Sequence, residues 1–488
     1  MEMNSWFLVA AVAFPLAAGV ALLLVKPKKA GVPAAWCLGV SVVTAVLVWM
    51  LVLNPPEESV KVINFTKNLR ISFRLDGAGR VFAAIVGTLW PLAALYAGEY
   101  MEGDSRKRSF FAFYTLCLGV TLGVCFAENL LTMYLFYELL TLFTIPLVIH
   151  PFTKRAVHAA RKYMYFSFGG TAFAFISLIF LTSYGGDGFT AGGIVGEAGN
   201  SAVLVLVWFL GFMGFGVKAA LFPFYSWLPD ASVAPTPVTA LLHAVAVVKS
   251  GVFAIIRLTY YCFGADFVRG TWAHWAALGV VIFTMVFGSV LAVREPHFKR
   301  RLAYSTVANL SYILVGVIML TPAGLEAGFI HMLSHALMKI CVFFCAGAVL
   351  HKTGLEYVWE LSGVGKTMPV TMVCFTVCSA ALTGLPPFFG FVSKYSLITA
   401  CINEGSAGGF IGAAALVLCG LLTAVYMFTV VIRAYFPKRD SELLCAGAGD
   451  AGWKMTVPIV LIAAAVVLFG IWTGPVFSLV GEAVAGAF

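Results

Sequence analysis

Long apolar stretches separated by short polar connections run through the whole chain. We count about fourteen of them, each of roughly 18–25 residues, which is the length a helix needs to cross the hydrocarbon core of a bilayer. The pattern therefore predicts an all-α polytopic membrane protein. The predicted spans are 6–25, 32–53, 79–98, 109–127, 130–150, 163–183, 202–222, 237–260, 273–293, 302–320, 325–350, 368–389, 409–433 and 455–478.

Two of the predicted spans, the seventh and the twelfth, continue into sequence that is rich in proline and aromatic residues. The seventh leads into KAALFPFYSWLPD and the twelfth into LTGLPPFFGFVSKYS, each with a lysine nearby. Proline removes a backbone donor and breaks a helix, and membranes tolerate such breaks where neighbouring groups or water satisfy the freed backbone. We therefore predict that helices seven and twelve are broken, which in transporters marks the ion path.

The two broken spans lie five spans apart, so they cross the membrane in opposite directions. An inverted-topology repeat requires this arrangement. The predicted domains are the N-terminal helices one to three with an outer hairpin loop (1–108), a first inverted repeat of helices four to eight (109–260), a second inverted repeat of helices nine to thirteen (273–433) and a C-terminal helix fourteen (434–488).

Lysine and arginine are concentrated in alternate connections between the spans. By the positive-inside rule these connections face the cytoplasm, and an even number of spans then places both termini on the outer side. The connection after the seventh span, with Asp230 and several prolines, is the weak member of the series. The basic residues of the series are Lys26, Lys28, Lys29, Arg106, Lys107, Arg108, Lys154, Arg155, Arg161, Lys162, Arg294, Lys299, Arg300, Arg301, Lys352, Lys366, Arg433, Lys438 and Arg439.

The connection 54–78 departs from this rule, because it carries basic residues on the predicted outer side. Apolar residues alternate along it at Val60 and Val62 and again at Ile71 and Phe73. Such alternation is typical of half-buried strands. It predicts a small outer β-hairpin that caps the bundle or contacts a partner.

The composition agrees with a membrane protein and excludes a nucleic-acid-binding one. The chain is 61% hydrophobic and 11% charged, whereas a soluble domain carries roughly 25% charged residues. The net charge of +9 comes from the clusters between apolar runs, so we expect the lipid bilayer and no nucleic acid as a partner. The N-terminal segment lacks a basic n-region and an evident cleavage site, which favours a first membrane helix over a removed signal.

No motif for a cofactor or a metal stands out. The eleven cysteines form no CxxC and no Cys/His cluster, and no glycine pattern of a nucleotide-binding loop opens a helix after a strand. The pairs Cys341/Cys345 and Cys374/Cys378 are four residues apart within apolar helices, which favours small buried hydrophobic residues over metal ligands. We therefore expect no cofactor and no metal in this chain.

Ionisable residues inside the apolar spans are the strongest functional signal, because each costs about 2.5–3.5 kcal/mol at the bilayer centre. Glu138 lies deep in the fifth span, and Lys218 lies in the seventh, five residues before Pro223. Burial disfavours a charged lysine and a neighbouring carboxylate favours it again, so such a pair is a switchable proton site. A purely structural ion pair is the alternative for Glu138, and a lysine that reaches the membrane surface is the alternative for Lys218.

The eighth and eleventh predicted spans carry further candidates. His243 and Lys249 lie in the eighth, where the histidine is either a proton relay or a satisfied core residue. His331, His335 and Lys339 recur at a spacing of four, which places them on one face of the eleventh helix. A proton wire explains that spacing better than a metal site, because no third ligand accompanies the histidines.

Lys394, after the prolines of the twelfth span, completes the series. One ionisable residue inside a span carries little information, whereas a set distributed across the membrane midplane indicates a proton pathway. The candidate pathway residues are Glu138, Lys218, His243, Lys249, His331, His335, Lys339 and Lys394.

At these residues the chain resembles the antiporter-like subunits shared by respiratory complex I, membrane-bound hydrogenases and Mrp-type cation/proton antiporters. The matching strings are KAALFPFYSWLPDASVAPTPVTALLHAVAVVKSG, HMLSHALMKICVFFCAGAV and TGLPPFFGFVSKYSL, and the resemblance covers roughly spans four to thirteen.

The resemblance implies a fourteen-helix fold with two inverted five-helix repeats and a role for each candidate residue. Glu138 would pair with Lys218, Lys249 would bridge towards Lys339, and Lys394 would connect to the exit side. Some members have glutamate where Lys394 stands, so the lysine narrows the subtype without fixing it. The length is that of the shorter members, which sit in a row beside other subunits.

Three hypotheses follow for the function. The first is a proton-translocating subunit of a redox-driven complex, with further antiporter-like subunits and a peripheral redox arm as partners. The second is a subunit of an Mrp-type Na⁺/H⁺ antiporter without a redox partner, and the third is a scaffold or inorganic-carbon-uptake partner. Retained membrane lysines would be an uncompensated cost in a scaffold, which argues against the third. Under the first two hypotheses the chain is a multi-pass protein of a prokaryotic cell membrane; whether its assembly is an enzyme is open.

Overall fold

The computed structural model describes residues 4–27, 29–66, 69–183, 188–195, 202–436 and 449–488. The α-helices are α1 (Trp6–Leu24), α2 (Val32–Leu53), α3 (Gly77–Tyr100), α4 (Lys107–Phe126), α5 (Leu130–Val148), α6 (Lys154–Ser183), α7 (Ala202–Gly216), α8 (Trp227–Ala231), α9 (Thr236–Ala244), α10 (Val247–Ile256), α11 (Ala265–Val268), α12 (Trp272–Arg294), α13 (Phe298–Ile318), α14 (Pro322–Thr353), α15 (Val364–Thr367), α16 (Pro369–Thr383), α17 (Phe389–Glu404), α18 (Ala407–Tyr435), α19 (Trp453–Ile471) and α20 (Gly474–Ala485).

Shorter elements complete the described chain. Two strands, β1 (Val60–Asn64) and β2 (Arg70–Phe73), form an antiparallel pair. Two 3₁₀ turns are Phe224–Ser226 and Val358–Glu360, and a π-helical turn is Arg257–Phe263. Lys28, Lys438 and Arg439 of the predicted basic loops lie outside the described residues.

Twelve helices of the described chain are long and apolar enough to cross a membrane, if 236–263 is counted as one. The seventh and twelfth crossings are assembled from shorter pieces, the seventh from α7 and α8 and the twelfth from α16 and α17. The prediction of about fourteen crossings with breaks in the seventh and the twelfth is therefore confirmed. The protein is an all-α polytopic membrane protein.

Each break leaves backbone groups that the neighbouring structure satisfies, as a membrane interior demands. In the seventh crossing, Trp227 donates its indole N–H to the carbonyl of Val217 at 2.8 Å. The amide of Phe222 donates to the Thr284 hydroxyl at 3.0 Å. In the twelfth crossing, Lys394 donates to the carbonyl of Leu382 at 2.6 Å.

Three boundaries differ from the prediction. The eighth span, expected to be continuous over 237–260, is divided between α9, α10 and the π-helical turn. Helix α6 begins at Lys154, because a helix can continue past the apolar stretch where its polar residues meet water. The fourteenth span ends at Ile471 and is followed by α20, a separate helix that packs on α3 and α14.

The predicted hairpin is present. Val60 pairs with Phe73 and Asn64 with Arg70, and the amide of Arg74 donates to the carbonyl of Phe126 at 2.8 Å. The hairpin therefore lies against the end of α4 and the start of α5. We call the membrane side that carries it the hairpin face and the other side the opposite face.

Helix α14 is the centre of the bundle. It packs against α13, α16, α17, α9 and α19, and most of its residues are buried. The segment 236–263 is fully buried as well. The side chains of α10 and most of those of α14 are therefore shielded from lipid, so the ionisable groups among them must be satisfied within the protein.

Candidate functional site

Glu138 and Lys218 meet between α5 and the broken seventh crossing. Lys218 lies in the irregular segment after α7 and is completely buried. Its ammonium is 4.0 Å from the Glu138 carboxylate, donates to the carbonyl of Tyr137 and lies 3.4 Å from the centre of the Tyr137 ring. Glu138 is 18% exposed, and its Oε1 has no hydrogen-bond partner. The pair is in electrostatic contact without a direct hydrogen bond.

Close backbone packing fixes the position of Lys218. A Cβ atom at Gly251 would lie 2.5 Å from the amide nitrogen of Ala219 and 2.8 Å from the carbonyl carbon of Lys218. Only a glycine allows α10 to approach the segment this closely. Because Lys249 lies on the same helix two residues earlier, the approach ties the positions of the two lysines together.

Lys249 and His335 form a close polar contact between the two halves of the bundle, residues 109–260 and 273–433. The Lys249 Nζ lies 2.6 Å from His335 Nδ1, and neither residue is exposed. Lys249 belongs to α10 and His335 to α14, so the contact links the predicted first repeat to the second. A lysine and an imidazole at this distance can exchange one proton, since each can donate or accept in turn.

His243 lies near this contact, in the last turn of α9. Its ring packs on that of Phe343 with centroids 4.9 Å apart, and neither ring nitrogen has a hydrogen-bond partner. Buried polar atoms are normally bonded to the protein or to ordered water. This histidine therefore has the capacity to bind water on both sides of its ring.

A second set of contacts connects His335 to Lys394. The rings of His335 and His331 lie 6.1 Å apart, and His331 Nδ1 is 3.0 Å from the Ser393 hydroxyl. The Tyr312 ring lies between His331, at 5.4 Å between centroids, and Lys394, whose Nζ is 5.0 Å from that ring. The described contacts thus run from His335 to Lys394 by way of His331.

Lys339 lies beside this series of contacts and is not part of it. Its Nζ donates to the carbonyl of Leu302 at 3.1 Å and to the Ser305 hydroxyl at 2.6 Å. Ser305 in turn lies 2.7 Å from the hydroxyl of Tyr426. Among the hydrogen bonds of the described residues, none joins Lys339 to Lys394.

The four candidate lysines differ in whether a carboxylate accompanies them. In the part of the chain that the structure describes, Lys249, Lys339 and Lys394 form no ion pair with a carboxylate, whereas Lys218 has Glu138. No group of three or more His, Cys, Asp or Glu residues among the described positions is placed to hold a metal ion. The arrangement can hold and pass protons with its own side chains.

A buried arginine and the carboxylate that it binds were not recognised in the sequence. Arg257, in the π-helical turn, donates to both carboxylate oxygens of Asp76 at 2.5 and 2.6 Å and is completely buried. The rings of Phe189, Phe253 and Tyr261 surround its guanidinium at 4.6–4.9 Å. Burial alone would raise the pKa of Asp76, but Arg257 holds it below its usual value. The sequence signal that could have revealed this pair is a charged residue at the end of an apolar span. Asp76 lies just before the third predicted span, and Arg257 lies near the end of the eighth.

A polar cavity of about 730 Å³ opens on the opposite face. Lys299, 6% exposed, lies in its wall and donates to the carbonyl of Ala234 at 2.8 Å. Burial lowers the pKa of His297 at this rim, and Glu356 opposes the effect. The acidic, basic and histidine residues of the lining are Asp104, His150, Lys154, Arg155, His158, Asp230, His297, Lys299, Arg300 and Glu356.

Comparisons with known proteins agree with this architecture. Residues 127–423 match the family described as NADH:quinone oxidoreductase/Mrp antiporter, TM. The chain is 33% identical to the NADH-quinone oxidoreductase subunit N of Desulforudis audaxviator, over 79% of each chain. It is 28% identical to the Na⁺/H⁺ antiporter subunit A1 of Staphylococcus haemolyticus, over 85% of this chain and 54% of that one, so it spans about half of that relative.

Two solved structures share the fold. The Mrp complex from a Dietzia species contains a chain that superposes with a TM-score of 0.86 at 23% identity, covering 100% of this chain and 98% of that one. The membrane-bound sulfane sulfur reductase, an archaeal respiratory membrane complex, gives a TM-score of 0.85 at 21% identity, covering 98% and 97%. At these identities the likeness concerns the fold alone.

Proposed function

Because the chain belongs to the NADH:quinone oxidoreductase/Mrp antiporter family of membrane proteins, we propose that it is a proton-translocating, antiporter-like subunit of a multisubunit redox-driven membrane complex. The observation that carries the proposal is the row of buried lysines and histidines, of which three lysines have no carboxylate partner among the described residues. Buried charges of one sign are costly, so a fold that retains them uses them.

The proposed pathway begins at Glu138 and Lys218 and ends at Lys394. A proton that enters from the opposite face charges Lys218 while Glu138 stabilises the ammonium. Loss of that pairing, driven from the adjacent subunit, moves a proton to Lys249 and then to His335, 2.6 Å away. His331 and Ser393 carry it on towards Lys394, and Lys339 with Ser305 holds a proton on the side branch.

A second candidate function is a subunit of a Na⁺/H⁺ antiporter without a redox partner. The relative from Staphylococcus haemolyticus favours it, because the match covers 85% of this chain. The pathway would be the same under both functions, since its residues hold protons whatever supplies the driving force. The functions differ in the neighbouring subunits.

We further propose the orientation and the domain division. The basic connections would face the cytoplasm, so the hairpin face and both termini would lie outside. Residues 109–260 and 273–433 would be the two inverted repeats, with the broken crossings in corresponding places.

The experiment that tests the function is isolation of the native assembly in mild detergent, with its subunits identified by mass spectrometry and its metals counted. Iron–sulfur or nickel–iron subunits in the assembly are the expected result and favour the redox-driven pump. A cofactor-free set of small hydrophobic subunits would favour the antiporter, and isolation of the chain alone would count against both.

A further inference from the structure

An apolar cavity of about 440 Å³ lies between two N-terminal helices and helices from the second half and the C-terminal end of the chain. Helices α2 and α3 form one wall, and α14, α17, α19 and α20 form the other. Leu333 and Leu337 of α14 and Phe389 of α17 lie at its deep end. Arg80 and Glu482 are the two charged residues of its lining. The pathway residues described above do not line it.

The cavity opens towards the lipid phase. Trp49 and Leu53 of its lining are 37% and 68% exposed on α2, a helix at the periphery of the bundle. Within 81–90 of α3, Thr88 is the one exposed residue, and it faces the cavity. Within 327–349 of α14, Leu333 and Leu337 are likewise the partly exposed residues. The cavity is therefore a side entrance from the bilayer to an otherwise buried helix.

The depth of the cavity matches one leaflet. Its lining on α3 runs from Arg80, one turn inside the hairpin-face end, to Leu89. Nine residues of helix span about 14 Å at 1.5 Å per residue. Half of the hydrocarbon core of a bilayer is about 15 Å. An acyl chain that enters at Arg80 would reach Leu89 at the membrane midplane.

The mouth of the cavity carries one charge of each sign. Arg80 forms an ion pair with Glu482 and donates its Nε to the carbonyl of Val52 at 2.9 Å. The Arg80 side chain is 14% exposed and that of Glu482 is 53% exposed. A guanidinium suits a phosphate, and an accessible carboxylate suits a primary ammonium that can donate hydrogen bonds. The pair is complementary to a zwitterionic headgroup with both groups.

We propose that this cavity binds one acyl chain of a phospholipid with an ethanolamine headgroup, taken from the leaflet on the hairpin face. The phosphate lies at Arg80, the ammonium at Glu482 and the end of the chain against Leu333 and Leu337. The site places lipid in contact with α14, the helix that carries His331, His335 and Lys339. The proposal is independent of the redox partner.

Photolabelling tests the proposal in membrane vesicles that contain the full chain. The probe is a phosphatidylethanolamine with a diazirine at the end of one acyl chain, and peptides are mapped by mass spectrometry. We expect labelling of the α14 peptide that holds Leu333 and Leu337. Thr88→Phe fills space that is already open, so it should lower this labelling about fivefold or more without disturbing the packing. Ala414→Phe, on the lipid-facing side of α18, is the matched control and should leave it unchanged.

The headgroup is tested by competition with unlabelled lipids. In the wild-type protein, phosphatidylethanolamine should reduce the α14 labelling more effectively than phosphatidylglycerol does. Glu482→Gln removes the carboxylate and leaves Arg80, so it should reverse that order. Absence of α14 labelling in the wild type, equal labelling in Thr88→Phe, or displacement by a prenyl quinone in preference to phospholipid would each overturn the proposal. An unchanged order in Glu482→Gln would overturn the assigned headgroup.

Discussion

The two halves of the bundle bury a lysine at a broken helix in different ways. In the first half, Lys218 has a carboxylate within 4.0 Å, and the carbonyl freed by the break is satisfied by Trp227. In the second half, Lys394 has no carboxylate partner among the described residues and itself satisfies the carbonyls of Leu382 and Thr383. The same residue type is part of an ion pair in one half and of the backbone structure in the other.

Because of this difference, the two halves would hold a proton with different strength. A carboxylate partner stabilises the ammonium, so the first half can retain charge until the pair is separated. Without one, a proton on Lys339 or Lys394 is stabilised by hydroxyls, carbonyls and the Tyr312 ring, which favours its onward transfer. The first half would therefore be the controlled step of the proposed pathway and the second half the conducting one.

The largest expected effect is on transport. Lys218→Ala removes a proposed proton carrier of the first half, so we expect the proton flux in vesicles to fall by about 100-fold, a typical loss for a positioned acid–base group. Lys352→Ala, at the exposed end of α14, is the matched control and should retain the wild-type flux. Wild-type flux in Lys218→Ala would show that the controlled step lies elsewhere.

The next effect concerns stability, which should fall on loss of the lysine in the first half and should not fall in the second. Lys218→Met leaves Glu138 without its partner and should lower the free energy of unfolding by roughly 1–3 kcal/mol. Lys339→Met removes a buried ammonium without orphaning a carboxylate, so it should be neutral or stabilising. Thermal unfolding in detergent measures both.

A double variant completes this test. Glu138→Gln combined with Lys218→Met should recover most of the lost stability, because neither charge is then buried alone. Additive losses would mean that the two side chains do not interact. A similar loss of unfolding free energy in Lys218→Met and Lys339→Met would mean that the carboxylate partner does not distinguish the two halves.

A smaller effect is expected from the hydroxyls of the second half. Ser393→Ala removes the hydrogen-bond partner of His331, and Ser305→Ala removes one of the two hydrogen-bond acceptors of Lys339. A hydrogen bond of about 1 kcal/mol corresponds to roughly a fivefold slower flux. Ser311, whose hydroxyl bonds only within its own helix, supplies the control Ser311→Ala. If the proton flux is the same in all three variants, the hydroxyls of Ser393 and Ser305 do not position His331 and Lys339 for proton transfer.

The smallest effect is a pH response at the opposite face. Burial lowers the pKa of His297 below 6.5, so this side chain contributes stability above that pH and loses it as the pH falls below 6.5. Burial alone would raise the pKa of Asp104, whereas its hydrogen bonds from Arg106 and His150 lower it below 3.8, so it stays ionised over the same range.

Unfolding measured between pH 7 and pH 5 tests this difference. We expect the free energy of unfolding to fall less in His297→Gln than in the wild type over this range. The difference should be less than about 1 kcal/mol. Equal slopes in the wild type and His297→Gln would exclude this histidine as the titrating group.

Features that depend on local sequence were predictable. The spans followed from the length of the apolar runs, and the two breaks followed from their prolines. The third break, between Ala244 and Val247, has no proline or glycine to mark it and depends on tertiary packing. The positions of the ionisable candidates could be named because a charge in an apolar span is costly, although their roles stay a proposal.

The partners of those residues could not be named. Ser393, Ser305 and Tyr312 carry hydroxyls, which cost little in a membrane helix and leave no signal in the sequence. The Asp76–Arg257 pair joins residues that are 181 positions apart, so only the folded chain brings them together. Pairwise geometry of this kind is a tertiary property.

The contact between Lys249 and His335 has an electrical consequence. Its two nitrogens are 2.6 Å apart, less than a tenth of a hydrocarbon core of about 30 Å. A unit charge that crosses the whole membrane at 100 mV gains or loses about 2.3 kcal/mol, so this step accounts for about 0.2 kcal/mol at most. In the proposed pathway, the transfer between the halves is nearly insensitive to the membrane voltage. Any voltage dependence of the flux would then arise at entry and exit.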